Sequence, residues 1–194
     1  LNFQVKLDLM HKDKRLKILI LGGSQAAKVF AKKLTKIFKD CYEAKIQLKI
    51  YQQCLPEQNK FLISFYKDLN IDHEIFNFTD DILSYFTKTD LVITRSGSSM
   101  LAELINAKVP FIAVPLPSSA DDHQLKNAEY YENKGFGFLI KEKDINYKLF
   151  DLIKSIYLDN STIKKILASQ RQYSDKNTFK NKKTYLEKII NEKN

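Results

Sequence analysis

The ten residues Leu16-Lys17-Ile18-Leu19-Ile20-Leu21-Gly22-Gly23-Ser24-Gln25 decide how the rest of the chain is read. Residues 16–21 form a short, mostly apolar run, which reads as a strand. Two glycines and a serine close it. From about residue 25 to 39 the apolar spacing changes, and Val29, Phe30, Leu34, Ile37 and Phe38 fall on one face of a helix. Strand, glycine turn and amphipathic helix in direct succession open a parallel α/β unit.

The same alternation continues downstream. A second strand is expected over 46–51. Pro56 then opens a helix near 57–69, with Phe61, Leu62, Phe65, Tyr66 and Leu69 on one face. A third strand is expected over 74–78, ahead of a helix that starts at Thr79-Asp80-Asp81 and buries Ile82, Leu83 and Phe86. Further strands are expected over 90–94, 110–115 and 137–140, with helices from about Ser98 to Ala107 and over 122–133. Amphipathic helices are expected over 148–158 and 163–173, and the very basic stretch 176–194 is expected to end in a helix carrying Tyr185, Leu186, Ile189 and Ile190. The pattern predicts a Rossmann-like parallel sheet with helices on both faces, a core over about 16–142 and extra C-terminal helices over about 144–192. All 194 residues then form a single domain. Right-handed crossovers place every strand C-terminus on one edge, where ligands of such sheets bind.

Composition narrows the function classes. With 44% hydrophobic and 12% aromatic residues the chain can build a core, and with only 5 Gly and 4 Pro it is not a low-complexity sequence. It has no apolar run of membrane-spanning length. Two cysteines, Cys41 and Cys54, fit a reducing interior and no disulfide scaffold. The net charge of +9 raises the question of an anionic partner, yet only Arg15, Arg95 and Arg171 of the 32 basic residues are arginine. That bias reads as a solvated lysine surface rather than a nucleic-acid reader. Steeply salt-dependent DNA or RNA binding would reverse this. The chain opens Leu1-Asn2-Phe3 rather than on Met and shows no leader, so it is expected to be a piece of a longer protein.

Chemistry is sought at the strand ends. Gly22-Gly23-Ser24-Gln25 lets a backbone approach a ligand, and a helix N-terminus there offers free N–H groups to an anion; the same turn also serves simply to pack helix on strand. Arg95-Ser96-Gly97-Ser98-Ser99 repeats the arrangement. Glu103, four residues beyond Ser99, shares its helix face, and a carboxylate there can accept from both hydroxyls of a ribose. The plainer alternative has Ser98 capping the helix and Glu103 solvated. Pro115-Leu116-Pro117-Ser118-Ser119-Ala120-Asp121-Asp122-His123-Gln124 is a stiffened polar loop running into a helix, and its imidazole and amide suit sugar hydroxyls. Phe78 could cover a nucleobase, or be a core residue ahead of an Asp cap. His11 and His73 read as structural or exposed, and no His/Cys metal spacing occurs.

Taken in order, these segments resemble the MurG family of N-acetylglucosamine (GlcNAc) transferases. The resemblance rests on 20–25, 78–82, Arg95-Ser96-Gly97 through Glu103, 114–117, and 121–124 with Asn127-Ala128. It implies the C-terminal, donor-binding half of a GT-B glycosyltransferase, with the N-terminal acceptor domain absent. Phe78 and the Thr79 backbone would then hold uracil, and Glu103 the ribose. Ser24 and the N–H groups around Ser98, Ser99 and Met100 would contact ribose and diphosphate. His123 and Gln124 would contact GlcNAc, and Gln25, Arg95, Ser96 and Gly97, in the same turns, are expected to bind the substrate as well.

The implied reaction is inverting transfer of GlcNAc from UDP to undecaprenyl-diphospho-muramoyl-pentapeptide, on the cytoplasmic face of the inner membrane. The enzyme would be peripheral to that membrane, with no cofactor and no tightly held metal. The catalytic base would belong to the other half, so these residues alone are expected to bind without turnover. Two departures stand out: Ala26 where members usually carry glycine, and Gln52-Gln53-Cys54-Leu55 where they usually read His-Gln-x-Gly. The alternatives are a donor-binding subunit of a two-chain GlcNAc transferase and a non-catalytic sugar-nucleotide-binding module.

Overall fold

The computed structural model describes residues 14–173, with the backbone alone over 23–27. The helix expected at the end of 176–194 and His11 lie outside the described residues. Six strands are described: β1 (Leu16–Leu21), β2 (Leu48–Gln53), β3 (Asp72–Phe76), β4 (Leu91–Thr94), β5 (Phe111–Ala113) and β6 (Phe138–Leu139). They form one sheet in the order β3-β2-β1-β4-β5-β6, and every pairing is parallel. The helices are α1 (Gly23–Glu43), α2 (Asn59–Asp68), α3 (Ile82–Lys88), α4 (Ser98–Asn106), α5 (His123–Asn133), α6 (Ile145–Leu158) and α7 (Ser161–Gln172).

The central strands are buried on both faces, as their unbroken apolar runs require. Ile18 and Ile20 of β1 meet Phe30, Leu34, Ile37 and Phe38 of α1, Tyr66 of α2 and Leu149 of α6. Leu19 and Leu21 face the other way, into a cluster with Tyr85 and Phe86 of α3, Leu101 and Leu104 of α4 and Ala128 of α5. The strand order reverses between β1 and β4, which are paired with Leu21 opposite Thr94. A crevice opens at such a reversal, outside the strand C-termini, because the flanking helices leave to opposite sides.

Three expectations are corrected. β2 lies two residues later than expected, because Gln52 and Gln53 look like loop residues but stand in the strand. Gln52 is fully buried there, and its Oε1 accepts from the Tyr66 hydroxyl at 2.6 Å. β3 lies two residues earlier, held at its start by Asp72, which pairs with Arg15 at 2.8 Å and Lys49 at 3.0 Å. Leu83 is 63% exposed rather than buried. Asp81 caps α3 by accepting from the Ser84 N–H, so the helix begins at Ile82 and its inward stripe is Ile82, Tyr85 and Phe86. Leu83 falls outside that stripe.

Both thiols are buried, Cys41 at 0% exposure and Cys54 at 2%. Burial, helped by Asp40, pushes Cys41 from 9.0 to about 12; burial, then Glu57, raises Cys54. Neither thiol should react with a disulfide reagent at pH 8 in the folded chain, and both should react in denaturant. A folded thiol that holds its proton more tightly than an unfolded one contributes stability in full below pH 9.0, lost as pH rises toward about 12. An alkaline melting series checks the sign.

Candidate functional site

β1 ends at Leu21 and α1 begins at Gly23, with Gly22 as the N-cap residue at φ −104° and ψ −23°. The turn is therefore tighter than expected. Ser24 and Gln25 lie inside the first helical turn, and the free N–H groups of α1 start at the sheet edge. Ala26 is helical, so the departure from glycine carries no backbone strain there. One strand over, β4 ends at Thr94 and α4 begins at Ser98. Its N-cap residue is Gly97, at φ −64° and ψ 139°, and no side chain caps the helix. Ser98 thus occupies the first helical position instead of capping it.

Neither helix carries an acidic residue in its first turn. Two uncapped N-termini rise from adjacent strand ends, each with a partial positive charge near half a unit. Ser98 and Ser99 are exposed, and Met100 is half-buried against the second core cluster. Glu103 is exposed one turn along α4, and its carboxylate has no hydrogen bond or ion pair to a described residue.

Gly97 is informative because the fold does not demand it. Its φ is one that any residue adopts, and a Cβ added there would meet nothing within 4 Å. The open space faces whatever approaches the tip of α4. Gly97→Ala should melt within about 1 kcal/mol of the parent. If the glycine serves close approach of a phosphate, UDP affinity should fall several-fold; thermal melts and a UDP titration decide this together.

Arg95 and Ser96 turn inward. The Arg95 guanidinium donates to the Val114 and Pro115 carbonyls at 3.2 and 3.1 Å and to Glu142 Oε2 at 2.6 Å, and it lies 5.1 Å from the Phe30 ring. Ser96 is fully buried; its carbonyl accepts from Asn127 Nδ2 at 3.1 Å, and its hydroxyl has no partner among the described residues. Both residues organise the crevice wall.

The loop after β5 ends with Asp121 and Asp122 in the left-handed region, at φ 49° and 54°. Consecutive left-handed residues cost roughly 1–3 kcal/mol each and concentrate where a side chain must be aimed. The next residue is His123, exposed at the start of α5, with Nδ1 2.8 Å from the Ala120 carbonyl. A carbonyl only accepts, so Nδ1 carries a proton, and in that tautomer of the uncharged ring Nε2 is an acceptor. Gln124 Oε1 accepts from the Leu116 N–H at 3.0 Å, which leaves its Nε2 as a donor. The pair thus presents one acceptor and one donor.

Phe78 lies beyond β3 in the loop to α3 and is 75% exposed. Thr79 Oγ1 accepts from the Asp81 N–H at 3.1 Å, shaping that loop. The neighbouring strand end is tied to it: Asn77 Nδ2 donates to the Cys54 carbonyl at 2.9 Å. Among the described residues, no group of three or more His, Cys, Asp and Glu side chains could hold a metal, and no helix is long and apolar enough to cross a membrane. Sequence reasoning missed Glu142. Its place just after β6 was the available signal, since that strand ends on the same edge as the others.

Residues 17–186 match the model of the glycosyltransferase family 28 C-terminal domain. The chain belongs to this family. It is 36% identical over 195 residues to the UDP-N-acetylglucosamine–N-acetylmuramyl-(pentapeptide) pyrophosphoryl-undecaprenol N-acetylglucosamine transferase of Pelagibacter ubique, covering 98% of this chain and 54% of that protein. It is also 36% identical over 169 residues to the transferase of the same name from Rickettsia bellii, covering 83% of this chain and 47% of that protein. The crystal structure of Acinetobacter baumannii MurG superposes with a TM-score of 0.74 at 26% identity, over 87% of this chain and 49% of that one. The chain spans about half the length of the curated relatives it matches. In this family 28 C-terminal domain the two uncapped helix tips sit at the sheet's switch point.

Proposed function

We propose that these residues form the donor-binding half of an inverting glycosyltransferase that uses UDP-GlcNAc. The observation that carries the reading is the pair of uncapped N-termini, α1 and α4, on adjacent strand ends, with Glu103, which has no partner among the described residues, one turn along α4. A diphosphate between the tips would meet free N–H groups and two helix dipoles. Glu103 would accept from the ribose diol. Phe78 and the Thr79 backbone would cover and read the uracil. His123 and Gln124 would accept from and donate to GlcNAc hydroxyls.

In the transfer, the bond from the GlcNAc anomeric carbon to the diphosphate oxygen breaks as the acceptor oxygen bonds that carbon from the opposite face. The departing UDP takes the bonding electrons. The two helix tips offset the charge that builds on its oxygens, a role that elsewhere falls to a cation. The proton lost by the acceptor hydroxyl goes to a base that we assign to the acceptor-side half. By likeness to the named relatives, the acceptor is the undecaprenyl-linked muramoyl-pentapeptide; we assign the working enzyme, as a peripheral protein, to the cytoplasmic face of the inner membrane.

Saturation-transfer NMR with UDP-GlcNAc tests the arrangement. Saturation should reach the uracil, ribose and N-acetyl protons alike. Saturation of none of them above a protein-free control would contradict the reading. The chain alone should release no GlcNAc to the acceptor.

A further inference from the structure

We infer that Glu142 is a positioning residue for sugar recognition: through Arg95 it fixes the loop on which the residues proposed to read GlcNAc stand. The inference rests on the donor-binding reading above.

Arg95 leaves the end of β4, and its Nη1 donates to the Val114 and Pro115 carbonyls just past β5. Its Nη2 donates to Glu142, just past β6, at 2.6 Å, with the two side chains only 11% and 18% exposed. One guanidinium thus joins three neighbouring strand ends, over a Phe30 ring supplied by α1. The hydrogen bonds continue as a circuit. Pro115 leads to Leu116, whose N–H is held by Gln124; one turn along α5, Asn127 donates back to the Ser96 carbonyl, next to Arg95. His123 and Gln124 stand on this circuit, whereas Glu103 and the tip of α1 lie off it.

Glu142 sets where the guanidinium points. Lys33 of α1 donates to the Glu142 carbonyl at 2.9 Å and stands 3.7 Å from its Oε1, so the carboxylate is fixed from behind. Without Glu142, Arg95 Nη2 would be a nearly buried cation lacking its anion, an arrangement that drives a side chain toward water. The Pro115 carbonyl, and with it Leu116 and Gln124, would lose its anchor. The uridine contacts at Glu103 and on the β3–α3 loop would not, and the α4 tip beside Ser96 keeps its own first-turn bond, from the Leu101 N–H to the Gly97 carbonyl at 3.1 Å.

The test compares UDP with UDP-GlcNAc by calorimetry on the full chain and on Glu142→Ala and Glu142→Gln, with melting temperatures recorded. Loss of a charge-assisted anchor predicts roughly a tenfold loss of UDP-GlcNAc affinity in Glu142→Ala, with UDP affinity held to within about threefold. Glu142→Gln keeps an acceptor for Arg95 but loses the charge, so it should shift the ratio against UDP-GlcNAc by about threefold, between the parent and Glu142→Ala. An unchanged ratio of the two affinities in either folded variant, or a parallel fall of both ligands with the melting temperature, overturns the inference. If Glu142→Ala fails to fold, the Glu142→Gln ratio decides: a several-fold shift against UDP-GlcNAc supports the role and no shift ends it. If the parent binds neither ligand, the donor-binding reading itself is wrong, and this inference falls with it.

Discussion

Glu103→Gln lowers the affinity of the chain for UDP-GlcNAc by roughly ten- to a hundredfold, about 1.5–3 kcal/mol, and leaves the melting temperature where it was. The two halves of this expectation come from the same observation. The carboxylate is exposed on α4 and has no described partner, so the fold loses no contact when its charge is removed. A ribose diol offers two donors, and a carboxylate accepts both with charge assistance; a carboxamide keeps one accepting oxygen and turns an NH2 toward a hydroxyl. UDP should lose affinity by the same factor, since the ribose is common to both ligands. That separates Glu103 from Glu142, whose replacement should distinguish UDP-GlcNAc from UDP. Equal affinity in Glu103→Gln and the parent would remove Glu103 from the site.

Gly137→Ala destabilises the fold by about 1–3 kcal/mol, a fall in melting temperature on the order of 5 °C. A Cβ at this position would lie 2.5 Å from Cε2, 2.6 Å from Cδ2 and 2.8 Å from Cζ of Phe111. The ring is 1% exposed and is wedged in the second core cluster with Leu104, Val109 and Phe136. It has no open side to swing toward. The glycine is thus required by close packing of the chain entering β6 on β5. Phe111 opens β5, whose far end carries the Pro115 loop, so a displaced ring should also weaken UDP-GlcNAc binding. Gly97→Ala is the internal control: the same change of one methyl group, at a position with open space, should leave the melt nearly unaltered. An unchanged melting temperature in Gly137→Ala would show that the ring finds room elsewhere.

The parts of this molecule that sequence reasoning reached are those whose signals are local. Residues 16–21 are a strand because five of six side chains are apolar and both faces need covering, and the glycine turn and helix that follow are set by neighbours in the chain. The order of strand ends, and so the edge that holds Ser24, Ser98, Glu103 and His123, follows from right-handed crossovers. Readings went astray where a tertiary partner overrode local character. Gln52 is polar yet sits in a central strand because the Tyr66 hydroxyl, fourteen residues away, satisfies its oxygen. Leu83 is apolar yet exposed because the Asp81 cap sets where the helix starts and which side turns inward. The partner of the Arg95 guanidinium was likewise out of reach, because Glu142 engages it across 47 residues, a separation at which spacing carries no information. Glu142 itself sits in a short charged stretch, Lys141-Glu142-Lys143-Asp144, that looks like ordinary surface.

Calorimetric titration of the chain with UDP-GlcNAc, with UDP-glucose in parallel and chelator present, tests the donor-site reading most directly. Saturable binding at one site, tighter for UDP-GlcNAc and undiminished by chelator, is the predicted result. Heats of dilution alone for both nucleotides would contradict it, leaving the fold and the family in place and withdrawing the role assigned to each residue of the site.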